Sequence, residues 1–297
     1  MAALIFFLHP RGTPITMKLA LLCTLLASAV GAQAACPSSL RLKGTISLKS
    51  CAASEPNCVA AGPALYKYTK ANKDDRPDVL SISITGSPWR LYDRDSHILE
   101  IDELAKRVRQ EGKAIKRVVL KASWSGTAPD ARTISLADKL SAALGGIPVS
   151  GKDGFLWISS NGATRTTQQA FTIARAGSYS VPEGEEIMVA RVSGWLVDLE
   201  GEFTRTGNAK GLLLAAVGQD TYMLCPERAL QLFEAAAKMS EPVAAFNAAI
   251  MRLERGAPGD AAAATALLRQ SAAAGDRKAQ SKLEALGKTR AAATAKR

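Results

Sequence analysis

Histidine is nearly absent from this chain, and with it goes most ordinary acid–base and metal chemistry. The 297 residues include two histidines, His9 and His97, and His9 falls in the N-terminal leader. Any Ser–His–acid mechanism must therefore run through His97. Asp93, Asp95 and His97 alternate and would share one face of an extended segment, but a solvated loop beside a strand accounts for them equally well, and no metal site is assigned. The chain has no P-loop and no G-x-G-x-x-G, so the usual phosphate cradles are missing and no cofactor is expected. Aromatics make up 5% of the residues and do not interleave with basic ones. Stacking on nucleic-acid bases therefore has no basis in the sequence.

Long apolar runs are missing too. Leu19 to Val30 is too short to span a bilayer as a helix. It follows Met17-Lys18 and precedes Gly31-Ala32-Gln33-Ala34, the order of a charged n-region, an apolar h-region and an A-x-A cleavage site. Residues 1–34 thus read as a signal peptide with an upstream extension, cleaved after Ala34, and either Met1 or Met17 can be the true start. The expected location is periplasmic or secreted. Export removes Cys23 of the five cysteines and leaves Cys36, Cys51, Cys58 and Cys225. Four cysteines in an oxidising compartment suggest two disulfides, with three possible pairings. Ser54-Glu55-Pro56-Asn57 forms a good turn between Cys51 and Cys58 and favours that pair, which leaves Cys36 for Cys225. The spacings are not those of a zinc site.

Acidic residues are in the minority. The formal net charge is +11. Loss of Arg11 and Lys18 with the leader leaves 36 basic against 27 acidic residues. An excess of that size suits an acidic partner protein, or peripheral contact with anionic envelope components.

Residues 35–225 are long enough for one core. Val79 to Thr85 alternates as a strand; Ile101, Leu104, Ala105 and Val108 mark a helix ending at Gly112; Val118-Val119-Leu120 is a short, buried, parallel-type strand. Ser135 with Asp138 gives an N-cap, Leu136, Leu140 and Leu144 carry the next helix to Gly145-Gly146, and Ile147 to Val149 is a third strand. Strand–helix–strand–helix–strand implies a parallel core. Phe155 to Ile158 before Asn161-Gly162 signals a hairpin, followed by strands at Ala170 to Ile173 and Glu186 to Val192, the latter continued by Gly194 to Val197. Asn208 to Asp220 suggests a short helix that packs on the helical segment beginning at 226.

From 226 the pattern changes. Ala229, Leu232, Phe233, Ala236 and Ala237 form the stripe of an amphipathic helix, and after Ser240-Glu241-Pro242 comes Ala244 on a second helix. Ala264, Leu267, Leu268, Ser271 and Ala272 repeat that stripe 35 residues on, followed by Gly275, Ala279 and Leu283. Small residues at the crossings let two helices approach closely. The expected organisation is a signal segment at 1–34, an α/β domain at 35–225, two helical-hairpin repeats at 226–287 and a basic irregular tail at 288–297. The fold class is an α/β domain, with a parallel core and an antiparallel hairpin extension, followed by a short helical repeat solenoid.

The twofold pattern resembles the Sel-one-like repeat, a relative of the tetratricopeptide repeat. Gly275 and Gly256 fit that family's glycines, while Ser240 stands for the first Gly and Ala248 for the usual Leu. The resemblance implies a protein-binding role, and it extends to immunity-type proteins of the envelope. A second resemblance, to caspase-like peptidase domains, runs from Ile84-Thr85-Gly86-Ser87 to Leu120-Lys121-Ala122-Ser123. Ser87 stands where that family's His would fall and Ser123 where its Cys would fall, which implies a scaffold without catalysis. Ser125 only loosely resembles a nucleophile elbow, since no helix follows it; Asp198, Glu200 and Glu202 fit a polar turn better than a glycosidase pair. The function expected from the sequence is an exported, non-enzymatic protein-binding module acting as adaptor or inhibitor. The alternative is a cell-envelope hydrolase whose repeats dock a partner.

Overall fold

The computed structural model describes residues 76–111, 114–158 and 196–295, with the strands at 45–48, 58–60, 164–167, 170–173 and 178–180. The leader, Cys36, Cys51, the Cys58 side chain, Asn161-Gly162 and Glu186 to Val192 lie outside the described residues. The strands are β1 (Thr45–Leu48), β2 (Cys58–Ala60), β3 (Val79–Ser83), β4 (Thr85–Gly86), β5 (Leu91–Tyr92), β6 (Ile98–Leu99), β7 (Arg117–Lys121), β8 (Val149–Ser150), β9 (Phe155–Ile158), β10 (Thr164–Thr167), β11 (Ala170–Ile173) and β12 (Ser178–Ser180). The helices are α1 (Ile101–Gln110), α2 (Leu136–Ala143), α3 (Leu196–Thr206), α4 (Ala209–Thr221), α5 (Pro226–Lys238), α6 (Pro242–Arg255), α7 (Asp260–Ala273) and α8 (Arg277–Ala295).

Strands β3, β7 and β8 form a parallel sheet in that order, with Val79 opposite Arg117 and Val118 opposite Val149. Each connection passes through one helix, α1 and then α2, and the two helices pack on each other. Leu104, Ala105 and Val108 of α1 and Leu136 and Leu140 of α2 share a buried core with Val118 and Leu120. Alternation along the strands sends these residues to the helical face. The local signals act as expected. Ser135 caps α2 by accepting the Asp138 N–H at 3.1 Å, and Gly145 and Gly146 end it with φ of +74° and +94°. This half also holds a hairpin and a small meander: β9 pairs antiparallel with β10, and β4, β5 and β6 make a three-stranded antiparallel sheet. β1 pairs parallel with β11, and β2 antiparallel with β12.

The helical run begins earlier than the sequence suggests. Leu196 and Val197, read as strand, open α3, so residues 196–221 belong to the helical run and not to the sheet. Asp198, Glu200 and Glu202 accordingly lie on a helix and not in a turn. At the other end α8 continues to Ala295, where an irregular tail is expected from 288. Each helix packs chiefly on its neighbours in the chain.

Three successive helix pairs, α3–α4, α5–α6 and α7–α8, share one turn geometry. A left-handed residue closes the first helix of each pair: Gly207 at φ +67°, Ser240 at +65° and Gly275 at +92°. The next N–H returns to the carbonyl five residues back, Asn208 to Phe203 at 2.9 Å, Glu241 to Ala236 at 3.1 Å and Asp276 to Ser271 at 3.2 Å. This is the Schellman closure, in which Gly is preferred because a Cβ crowds the left-handed conformation. Ser240 carries that strain where the other two turns have Gly. Ser240→Gly is therefore expected to leave stability unchanged or raise it by up to about 1 kcal/mol, the relief of strain being partly offset by the looser unfolded chain; urea denaturation measures it.

The small sheet β4–β6 joins the two halves. Leu91 stands opposite Leu99 and Tyr92 opposite Ile98. Leu91 and Leu99 point into the core beneath α1 and α2. Tyr92 and Ile98 point the other way, into the core built by Leu212, Phe233, Phe246 and Ile250 of the helical run. All four are at most 4% exposed. A two-residue strand with both faces buried is thus a shared wall, and each half completes its core against it.

Candidate functional site

Polar side chains lock the wall to the helices. Asp220, at the end of α4 and fully buried, accepts hydrogen bonds from the Ser87 hydroxyl at 2.9 Å and the Tyr92 hydroxyl at 2.9 Å. It also pairs with Arg90 at 2.8 Å, whose guanidinium reaches Glu254 of α6 at 2.7 Å. Burial works against the charged Arg90, but Asp220 and Glu254 outweigh it and hold the guanidinium firmly protonated. Burial, reinforced by the Asp220 carboxylate, pushes the Tyr92 phenol well above its ordinary range. Asn247 of α6, also fully buried, accepts the Ile98 N–H at 2.8 Å and donates to the Ser96 carbonyl at 2.8 Å.

His97 serves the same joint. Its Nε2 lies 2.9 Å from Asp276 at the start of α8, its Nδ1 lies 3.6 Å from Asp93, and its ring meets Phe246 edge-on at 5.4 Å. Burial lowers the imidazole pKa, yet the hydrogen bond to Asp276 and the nearby Asp93 carboxylate outweigh it and raise the value to about 9. Asp276 is held below the usual carboxylate range, burial being outweighed by the bond to His97. Lys278 ties Asp93 at 3.0 Å and Glu103 of α1 at 3.2 Å. Because the His97 pKa is raised above its unfolded value of about 6.5, its contribution is complete below pH 6.5 and is lost as pH rises through 9. The lowered carboxylate contributes above about pH 4 and is lost on acidification. Thermal midpoints should therefore fall between pH 6.5 and 9.5, and His97→Gln should flatten that fall.

The serines that could suggest chemistry are also engaged. Besides its bond to Asp220, Ser87 accepts the Arg90 N–H at 3.1 Å. Ser123, two residues beyond β7, accepts the Leu156 N–H at 3.0 Å. Ser125 is fully buried, donates to the Ala122 carbonyl at 2.8 Å and accepts the Lys152 N–H at 3.1 Å. Beside it the chain crosses itself so closely that a Cβ on Gly151 would meet the Gly126 Cα at 2.6 Å. His97 bonds to neither Ser123 nor Ser125. Glu200 is buried on α3, bonded to Gln219 at 2.6 Å and to Arg228 at 2.6 Å, so it braces α3 against α4 and α5. Among the described residues no group of three His, Cys, Asp or Glu could hold a metal, and no helix is long and apolar enough to cross a membrane.

The repeat positions read from the sequence lie inside the helical core. Ala229 and Ala264, Phe233 and Leu268, and Ala244 and Ala279 are each fully buried at matching places in successive hairpins. Ala236 and Ala237 are buried with them, Ala272 and Leu283 pack at the margin, and Gly256 closes α6 at φ +62°. Cys225 is buried at the entrance to α5.

Between the two halves a groove stays open, centred on Trp89. Its two arms, of about 720 and 490 Å³, share Trp89, Arg90, Lys139 and Glu254. One arm runs between Pro129, Thr133 and the α5–α6 hairpin at Leu230, Glu234 and Arg255. The other runs along Ile101 and Ile134 toward α2. Ile134 is 52% exposed at the rim, one of two large apolar side chains so exposed among the described residues. Both halves of the molecule line this groove. Of the four tryptophans Trp124 is buried in the core, and the side chains of Trp157 and Trp195 lie outside the described residues.

Fold and groove together define an α/β sheet fused through a shared wall to a repeat-like helical run. The family described as a domain of unknown function (DUF8616) matches residues 54–166, a stretch that contains β3 to β9, α1, α2 and the wall. Comparison with curated proteins and with solved structures finds no match.

Proposed function

We propose that this protein is an exported, non-enzymatic binding module that acts as an adaptor or inhibitor of another protein. The observation that carries this reading is the Trp89 groove. It is lined by both halves, while Ser87, Ser123, Ser125 and His97 are all committed to holding the fold. An aromatic beside exposed aliphatic and mixed-charge groups is the composition of a protein-binding hot spot. The Sel-one-like resemblance of α5 to α8 supports the same class of role, including that of an immunity-type protein. Export after Ala34 and a Cys36–Cys225 staple, with Cys51 paired to Cys58, belong to this proposal. So does peripheral contact between the basic chain and anionic envelope components.

Immobilised chain 35–297 should retain a stoichiometric partner from an envelope extract. Trp89→Ala should weaken that complex by about 30-fold or more, the loss expected of a central aromatic hot spot, with its thermal midpoint nearly unchanged. A hydrolase reading would require substrate turnover that Ser123→Ala or His97→Gln abolishes in a folded protein. Turnover of that kind, on peptide, ester or peptidoglycan substrates, would overturn the proposal.

A further inference from the structure

Among the described residues, strand β3 is paired along one edge and open along the other. The Ile84 N–H donates to the Lys121 carbonyl at 3.2 Å, so the even-numbered groups of β3 face β7. The N–H and C=O of Ser81 and Ser83 then face the other way. No hydrogen bond reaches them from any described residue, and the Ser81 hydroxyl also has no partner among the described residues. Such an edge is a template for an added strand unless something guards it. No proline, lysine or bulge guards Val79 to Ser83.

Beside this edge lies a second cavity, of about 710 Å³, distinct from the Trp89 groove. Ile82 and Ile84 form its floor, and Pro242, Val243 and Ala274 of the helical run form the facing wall. Its rim is basic. Asp93 and Asp276 are already engaged by Lys278 and His97, and Arg107 is paired with Glu103, which leaves Arg94, 3.5 Å from Asp95, and Arg277 as the cations facing the cavity. Arg94 is 92% exposed, and Arg277 is exposed with no ion pair among the described residues.

We infer that the open edge of β3 and this cavity receive an extended segment of a partner protein. The segment pairs its backbone with Ser81 and Ser83, buries one aliphatic side chain over Ile82 and Ile84, and presents an acidic side chain to Arg94 and Arg277. Backbone pairing supplies affinity, while the cavity and its arginines supply selectivity. The positive charge of the whole chain favours the same partner. This inference is independent of the Trp89 groove.

The test is panning of a phage-displayed random dodecapeptide library on the full chain. Enriched peptides should carry more Asp and Glu than Lys and Arg, and their binding should slow amide exchange at Ser81 and Ser83. Ser81→Pro removes an outward N–H without touching the β7 pairing, and Arg277→Glu reverses the rim without touching the sheet. Each should weaken the selected peptides by about 10-fold or more, whereas Trp89→Ala should not. If Ser81→Pro lowers the thermal midpoint, Arg277→Glu and the exchange data decide the matter. No enrichment, binders without acidic residues, or binders lost on Trp89→Ala but retained by both edge variants would overturn the inference.

Discussion

Asp220→Ala should cost about 3–5 kcal/mol, the loss expected when one partner of a buried charged pair is removed. The carboxylate accepts from Ser87, Tyr92 and Arg90 at once and has no exposure to water. Truncation leaves the guanidinium with Glu254, which is 43% exposed, and strands two buried hydroxyls. For a protein of this size the thermal midpoint should fall by ~10 °C. The loss should appear as one transition, because the wall belongs to both cores. The control is the joint change Asp220→Leu with Arg90→Met, which should recover part of the loss because a buried pair costs less to replace than to break. Equal losses in the single and the joint variant would show that the ion pair is not the coupling element.

Removing residues 226–297 should have the larger effect and leave no well-folded α/β domain. A modular reading expects residues 35–225 to fold by themselves. In the structure, however, Ile98 and Ser96 are held by Asn247, Arg90 by Glu254, and His97 by Asp276. Tyr92 and Ile98 pack among Phe233, Phe246 and Ile250. The truncated chain would expose that apolar face together with an unpaired backbone N–H and C=O. We expect loss of cooperative unfolding by urea and strong binding of a hydrophobic dye, with part of the helical signal retained. A cooperative transition for 35–225 close to that of 35–297 would refute the shared wall.

The elements that reveal themselves in the sequence do so through local rules. Ser135 with Asp138, and Gly145-Gly146, mark α2 because capping is decided by groups within a few residues. The Ala229 and Ala264 stripes mark α5 and α7 because small residues at fixed spacing have one helical reading. Leu196 and Val197 mislead for the opposite reason. The stretch from Gly194 to Val197 is too short for periodicity to separate a strand from a helix. Helix α3 therefore stays hidden, although α4 is legible from Asn208 to Asp220 and Gly207 between them is the counterpart of Ser240 and Gly275.

The polar lock is illegible for a different reason. Ser87 and Asp220 are 133 residues apart, and nothing in either neighbourhood names the other. Asn247 does leave a trace. It sits in Ala244-Ala245-Phe246-Asn247-Ala248-Ala249, where an amide among small apolar residues must be bonded if buried. His97 shows the converse. A lone histidine between aspartates invites a catalytic or metal reading, and geometry assigns it to the joint between the halves.

If the shared wall serves to hold a partner-binding groove built from both halves, the partner must touch the groove rim. Site-specific photocrosslinking tests this most directly. A benzophenone residue at Ile134, on the rim, is compared with one at Leu214, which is 45% exposed on α4 and outside the groove. One discrete adduct should form from Ile134 in living cells, abolished by Trp89→Ala, and none from Leu214. Equal adducts from both positions, or none from Ile134 in a folded protein, would contradict a groove that binds a partner.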